Sequence, residues 1–272
     1  MTGTPDFLDR IIAQKRVRLT RAQSLRTLGE MREEACAVRS GARPHALRAA
    51  LEGERRFNII AEIKRASPSL GDIRRDASPA RTAVQYETGG AAAISVLTEE
   101  DYFKGSLEDL REVRAAVSLP LLRKDFIFDE WQLYEAAASR ADALLLIVAA
   151  LDDATLARLR RITEDELGMD ALVEVHTREE LRRAADCGAS LIGVNNRNLQ
   201  SFAVSLETSV ELIEHAPPGA LLVSESGLRT QGDLRRLKSL GYRGFLVGET
   251  LMRAGDPAAA LRALLAEESV AG

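Results

Sequence analysis

The chain has 272 residues, 46% of them hydrophobic and 29% charged, enough to bury a full core and close to the roughly 250 residues of one closed α/β barrel. Lys plus Arg number 37 against 41 Asp plus Glu, and the net charge of -4 disfavours a generic nucleic-acid surface, so an anionic ligand has to meet a local positive cluster. Cys36 and Cys187 are the only cysteines, too few for a disulfide scaffold and without metal-ligand spacing; they read as two small structural residues of a reducing cytosol. The longest apolar run, Ala143 to Leu151, falls far short of the ~20 residues that cross a bilayer. No apolar signal segment opens the chain, and a cytoplasmic protein is expected.

The first 55 residues stand apart. Thr4 and Pro5 have the form of an N-cap and a first-turn proline, and Phe7, Leu8, Ile11 and Ile12 mark one face of a basic helix. From Asn58 onward, short apolar strands alternate with helix patterns. The strands fall near 58–64, 91–97, 119–123, 142–148, 171–175, 190–194, 220–224 and 243–247. Helix starts are signalled by Thr177 with Glu180 and Asp129 with Gln132 as capping boxes, and by Asp256 before Pro257. Gly89, Gly188 and Gly241 sit where left-handed residues end helices. A doubly wound sheet also alternates strands and helices, but eight similar units favour closure. The expected fold is a single (β/α)8 TIM barrel over residues 56–272, preceded by a helical extension over 1–55.

A parallel barrel gathers its strand ends at one face, and Glu62, Lys64, Lys124, Glu174, Asn195, Arg197 and Glu225 all fall at such ends. Parity puts Glu62 with Lys64, Leu122 with Lys124 and Leu172 with Glu174 on common faces. A charge at the interior mouth must be paired, solvated or used. The bland outcome is a set of ion pairs, Glu62 with Lys64 or Lys124 with Glu174; the convergence of so many polar groups favours a reactive site. Ser224-Glu225-Ser226-Gly227 and Gly248-Glu249-Thr250 end the seventh and eighth strands, where barrels hold phosphate on backbone N–H groups. Ser67 and Lys64 complete the cradle. Glu249 should offer its N–H and turn its carboxylate away, near a helix start where negative charge is favoured. Arg65 to Arg75, with Gly71, is a candidate mobile lid.

Seven segments in order, A-E-I-K-R-A-S-P-S, S-V-L-T-E-E-D-Y-F-K-G-S, L-L-R-K-D-F, L-V-E-V-H, I-G-V-N-N-R-N-L, S-E-S-G and F-L-V-G-E-T-L-M-R, closely resemble indole-3-glycerol-phosphate synthases of tryptophan biosynthesis. The likeness runs from about residue 57 to the late 250s, and the leading helical segment fits that family's N-terminal extension. It implies a carbon–carbon lyase that closes 1-(2-carboxyphenylamino)-1-deoxyribulose 5-phosphate to indole-3-glycerol phosphate with loss of carbon dioxide and water, using no cofactor and no metal. By resemblance Lys124 is the general acid of ring closure and Glu174 the principal acid–base glutamate. Glu62 and Lys64 match the first-strand pair, and either of them or Glu174 can handle the dehydration proton. Asn195 orients the substrate, and Glu225 and Ser226 complete the polar rim. Lys64, Ser67, Arg197, Ser226, Gly227, Gly248 and Glu249 match the phosphate site, with Arg197 equally able to hold the substrate carboxylate. Pro68, Phe103, Phe126, Leu146 and Leu199 resemble the aryl pocket. The implied partner is a small anionic sugar phosphate, with neither nucleic acid nor membrane, and a monomer is the default. A Schiff-base aldolase using Lys124 or Lys64, and a non-catalytic sugar-phosphate-binding barrel, are the competing functions. The leading helix is expected to pack at the strand-end face, the alternative being a plug at the other end.

Overall fold

Eight parallel strands close on themselves in the computed structural model, which describes residues 7–53 and 57–266. They are β1 (Asn58–Ile63), β2 (Ala93–Leu97), β3 (Leu121–Lys124), β4 (Ala143–Ile147), β5 (Asp170–Val175), β6 (Leu191–Asn195), β7 (Leu221–Glu225) and β8 (Gly244–Val247). Each pairs with its sequence neighbours, and β1 pairs with both β2 and β8, so no edge remains. The expected strands are all present within one or two residues.

Alternation divides the strand side chains between two cores. Ile60, Ala93, Leu122, Ala143, Leu145, Ile147, Leu172, Leu191, Leu221, Val223 and Leu246 fill the barrel interior. Ile59, Ala61, Ile63, Ile94, Val96, Leu144, Leu146, Val173 and Val175 face the surrounding helices. Strands buried on both faces need continuous apolar runs, which explains why their sequences barely alternate.

The helices α1 (Phe7–Leu25), α2 (Leu28–Arg39) and α3 (Ala46–Leu51) precede the barrel. Thr27 and Glu30 close a capping box at the start of α2. Helix α1 lies at the C-terminal mouth, with Lys15 2.5 Å from Asp125 and Arg18 2.9 Å from Asp101. Helix α2 packs on α6 (Glu130–Ala138). Helix α3 inserts Leu47 and Leu51 into the interior core. The extension therefore supplies both the strand-end cover and the plug that composition left as alternatives. Thr4 and Pro5 lie outside the described residues.

Three local expectations change. Gly90, at φ 96°, takes the left-handed position after α4 (Pro79–Gly89), while Gly89 stays helical because a Cβ there would press on Ala258 and Leu261 of α12 (Pro257–Leu265). Thr177 caps α8 (Arg178–Asp186) through the N–H of Glu180, but the Glu180 carboxylate accepts from His176 N–H at 2.7 Å, so the reciprocal half of the box is not formed. Cys36 is exposed rather than structural core, whereas Cys187 is half-buried. Asp129 with Gln132, Asp256 with Pro257, Gly188 and Gly241 act as expected. Residues 65–75 form a short hairpin, Ala66–Ser67 pairing with Gly71–Asp72, tied by Arg65 to Asp109 at 2.5 Å. Among the described residues no helix is long and apolar enough to cross a membrane.

Candidate active site

At the C-terminal mouth the inward series changes from apolar to charged. Ile60 is followed by Glu62 on β1 and by Lys64 just after it, Leu122 by Lys124 on β3, Leu172 by Glu174 on β5, and Val223 by Glu225 on β7, while β6 ends in Asn195. Glu62, Glu174 and Glu225 are only 4%, 2% and 1% exposed, so each charge needs a partner. Lys64 Nζ lies 2.6 Å from Glu62, and Lys124 Nζ lies 2.8 Å from Glu174 and 2.5 Å from Glu225. Both simple ion pairs thus form, and Glu225 gives Lys124 a second carboxylate. Two glycines make room for this cluster: a Cβ at Gly193 would collide with Glu225, and one at Gly248 with Glu62.

The cluster splits its carboxylates. Burial alone would lower the Lys124 pKa, but Glu174, Glu225 and Glu62 outweigh it and keep the ammonium charged. Burial works against ionised Glu174, yet Lys124 and His176 hold its carboxyl well below the usual range. Burial pushes Glu225 up to about 7, with the charge of Glu174 adding to it and Lys124 opposing. Of the two carboxyls, Glu174 is held toward the ionised form and Glu225 toward the protonated one, and they titrate as a pair.

A cavity of about 370 Å³ opens above these groups. Glu62, Lys64, Lys124, Glu174, Asn195, Glu225 and Ser226 all border it, as do Ser67, Arg197, Gly227, Gly248 and Glu249. Asn195 Oδ1 accepts the Arg197 N–H at 3.0 Å, and the Arg197 guanidinium donates to Ser69 and the Phe202 carbonyl, both at 3.2 Å. Ser226 and Gly227, at φ 66° and 80°, turn the chain after β7. Glu249 does not turn away: its carboxylate stays at the rim, 4.0 Å from Arg197 and 3.3 Å from Arg253, because two guanidinium groups offset its charge there.

Pro68, Phe103, Phe126 and Leu199 line the apolar wall, with the Phe103 and Phe126 rings 6.3 Å apart. Leu146 does not belong there. It shares its face of β4 with Leu144, under the helices, while Leu145 and Ile147 on the opposite face border the cavity. Phe7, Leu8, Phe202 and Val204, which lie outside the set implied by the resemblance, also line the cavity. Phe7 stacks edge-on against Tyr102 and Phe202, at 5.1 and 5.2 Å, bridging two strand-end loops from α1. The apolar face of the leading helix was the only sequence signal for it. Glu99, Glu100 and Asp101 form the one acidic cluster with metal-like spacing among the described residues. Glu99 is occupied by the N–H groups of Asp101, Tyr102 and Phe103, and Lys15 and Arg18 face the other two, so the cluster shapes the loop that carries Phe103.

The indole-3-glycerol phosphate synthase family model matches residues 8–264. The chain belongs to the indole-3-glycerol phosphate synthase family. It is 48% identical over 267 residues to an indole-3-glycerol phosphate synthase of Carboxydothermus hydrogenoformans, covering 96% of this chain and 100% of that one. One from Azospirillum brasilense is also 48% identical, over 96% of this chain and 99% of its own. Among solved structures, a thiamine phosphate pyrophosphorylase from Pyrococcus furiosus superposes with a TM-score of 0.56 at 18% identity, covering 76% of this chain and 92% of that one. At that identity the likeness shows the barrel alone. Family membership makes this chain a carboxy-lyase of tryptophan biosynthesis.

Proposed function

We propose that the cavity binds 1-(2-carboxyphenylamino)-1-deoxyribulose 5-phosphate and converts it to indole-3-glycerol phosphate. The observation that carries this assignment is Lys124 Nζ, set between Glu174 and Glu225 at the floor of a cavity with an apolar wall on one side and the loops after β7 and β8 on the other. Pro68, Phe103, Phe126 and Leu199 hold the aryl ring. Lys64, Ser67, Arg197, Ser226, Gly227, Gly248 and Glu249 form the anion end, the last through its N–H. Positioning folds the substrate so that the ring carbon bearing the carboxylate meets the sugar carbonyl.

The aniline nitrogen pushes electron density to that ring carbon, which bonds to the carbonyl carbon while the carbonyl oxygen takes a proton from Lys124. Loss of carbon dioxide returns the bonding pair to the ring. Departure of the new hydroxyl as water, with loss of a proton from the adjacent carbon, makes the indole aromatic. Glu174 serves these proton transfers, assisted by Glu62 and Lys64, while Asn195 orients the hydroxyl. No step calls for a cofactor.

A Schiff-base aldolase would need a neutral lysine, and Lys124, between two carboxylates, is held as the ammonium. A passive sugar-phosphate binder has no use for a buried Lys–Glu–Glu set. The net charge of -4 fits a small anionic ligand met locally rather than a nucleic acid, and we place the protein in the cytoplasm as a monomer. The test is to add the substrate and follow indole absorbance. Absence of turnover by folded protein overturns the proposal, as does a borohydride-trapped lysine adduct.

A further inference from the structure

His176 follows Glu174 by two residues, at the end of β5, and its side chain is only 10% exposed. No substrate-binding or proton-transfer role proposed above uses it. Its backbone N–H donates to Glu180 Oε2 at 2.7 Å, and its Nδ1 lies 3.1 Å from the same oxygen. A carboxylate oxygen only accepts, so Nδ1 carries a hydrogen and the ring orientation is set by α8. Nε2 then points back into the site, 3.4 Å from Glu174 Oε1, and is buried without a hydrogen-bond partner among the described residues. A bare Nε2 lone pair aimed at a buried carboxylate would be repulsive on both sides; an Nε2–H would be attractive.

We propose that His176 is a positioning residue for Glu174: clamped by Glu180 as an imidazolium, it fixes the Glu174 carboxylate in its ionised form facing Lys124. Its role rests on the ring-closure reaction proposed above. The charged groups facing it are Glu174 from its own strand and Glu180 from α8, with Lys124 of β3 and Glu225 of β7 behind Glu174. Burial alone would favour the neutral ring, but the contact with Glu180 and the negative charges of Glu174 and Glu180 raise the histidine pKa to about 10. The two oxygens of Glu174 are thereby divided, Oε2 to Lys124 and Oε1 to His176, and the carboxylate cannot rotate away from the lysine without losing one of them.

The first measurement needs no turnover. In the 15N NMR spectrum of the substrate-free full chain, both ring nitrogens of His176 should stay protonated from about pH 6 to pH 8. A ring that titrates near its ordinary value of about 6.5 overturns the proposal, whether or not the protein turns substrate over. The second is kinetic. His176→Gln should lower kcat on the order of tenfold, the cost of one charged hydrogen bond, and leave KM within about twofold. The acid limb of its kcat–pH profile should move to higher pH, because Glu174 has lost a cation that kept it ionised. Glu180→Gln, which leaves the imidazole in place, should move that limb in the same direction by less and serves if the first variant does not fold. A drop in kcat with the limb unmoved in both variants would make His176 a packing residue and overturn the proposal. A wild-type protein without turnover would instead overturn the reaction, with the NMR titration still judging the imidazolium.

Discussion

At its N-terminal mouth the inner face of the barrel ends in Leu191 and Leu221, covered by Leu47 and Leu51 of α3; at its C-terminal mouth the same face ends in Glu62, Lys64, Lys124, Glu174 and Glu225. The lower mouth ties its polar side chains to nearby backbone, although Asn58 Oδ1 is buried without a hydrogen-bond partner among the described residues. Asn58 Nδ2 donates to the carbonyls of Leu51, Gly53 and Arg243, and Asp170 accepts from the Arg48 N–H at 3.0 Å and faces His45 Nδ1 at 3.2 Å. The upper mouth buries three carboxylates, Glu62, Glu174 and Glu225, around two lysines, and among the described residues Glu225 Oε1 has no hydrogen-bond partner. One end of the barrel is closed for stability. The other gathers buried charge at the border of the cavity, as expected of a site rather than a scaffold.

The sharpest way to break the comparison is at Lys124. Lys124→Met should lower kcat by about 10² to 10⁴, the range for loss of a general acid, with substrate binding much less affected. A kcat near wild type would remove that role. At the opposite mouth, Leu51→Ala should cost about 2–5 kcal/mol in denaturant unfolding, as expected for truncating a fully buried leucine, with kcat within about twofold. A stable but inactive Leu51→Ala protein would show that the plug reaches the chemistry.

Phe7 tests the cover over the charged mouth. Phe7→Ala removes two edge-on ring contacts, and KM should rise several-fold while kcat changes less, since lost cover mainly costs uniform binding. Equal falls in kcat would place the helix in the transition state instead.

The smallest effect concerns pH. Glu225 has its folded pKa raised to about 7, so the stability it contributes is fully present below its unfolded value of roughly 4.3 and is lost as pH rises through 7. Glu174 has the opposite sign: its contribution is present above the unfolded value and is lost as pH falls below it toward its depressed folded pKa. Glu225→Gln should therefore flatten the decline in thermal stability between about pH 5 and pH 7 while leaving the acid-side loss in place. An unaltered neutral-side slope would show that Glu225 is not the group carrying the proton.

The eight strands and the residues at their charged ends were legible in the amino-acid sequence, whereas their closure was only favoured there and is shown by the pairing of β1 with β8. Those follow from two local facts: side chains alternate along a strand, and a parallel barrel needs runs buried on both faces. The ladder from Ile60 to Glu62 to Lys64 could be read without a partner in view. Leu146 shows the limit, since resemblance alone put it in the aryl wall while its position between Leu145 and Ile147 turns it under the helices. Only the tertiary structure decided what covers each mouth. An amphipathic pattern says that Phe7, Leu8 and Ile11 are covered and not by what, and it cannot distinguish α1 at the charged mouth from α3 at the apolar one. The same holds for His176, whose partners are near in sequence but meet only through the turn from β5 into α8, and for the unequal fates of Glu174 and Glu225. Proton placement in a buried cluster depends on distances between strands, and those distances exist only once the barrel has closed.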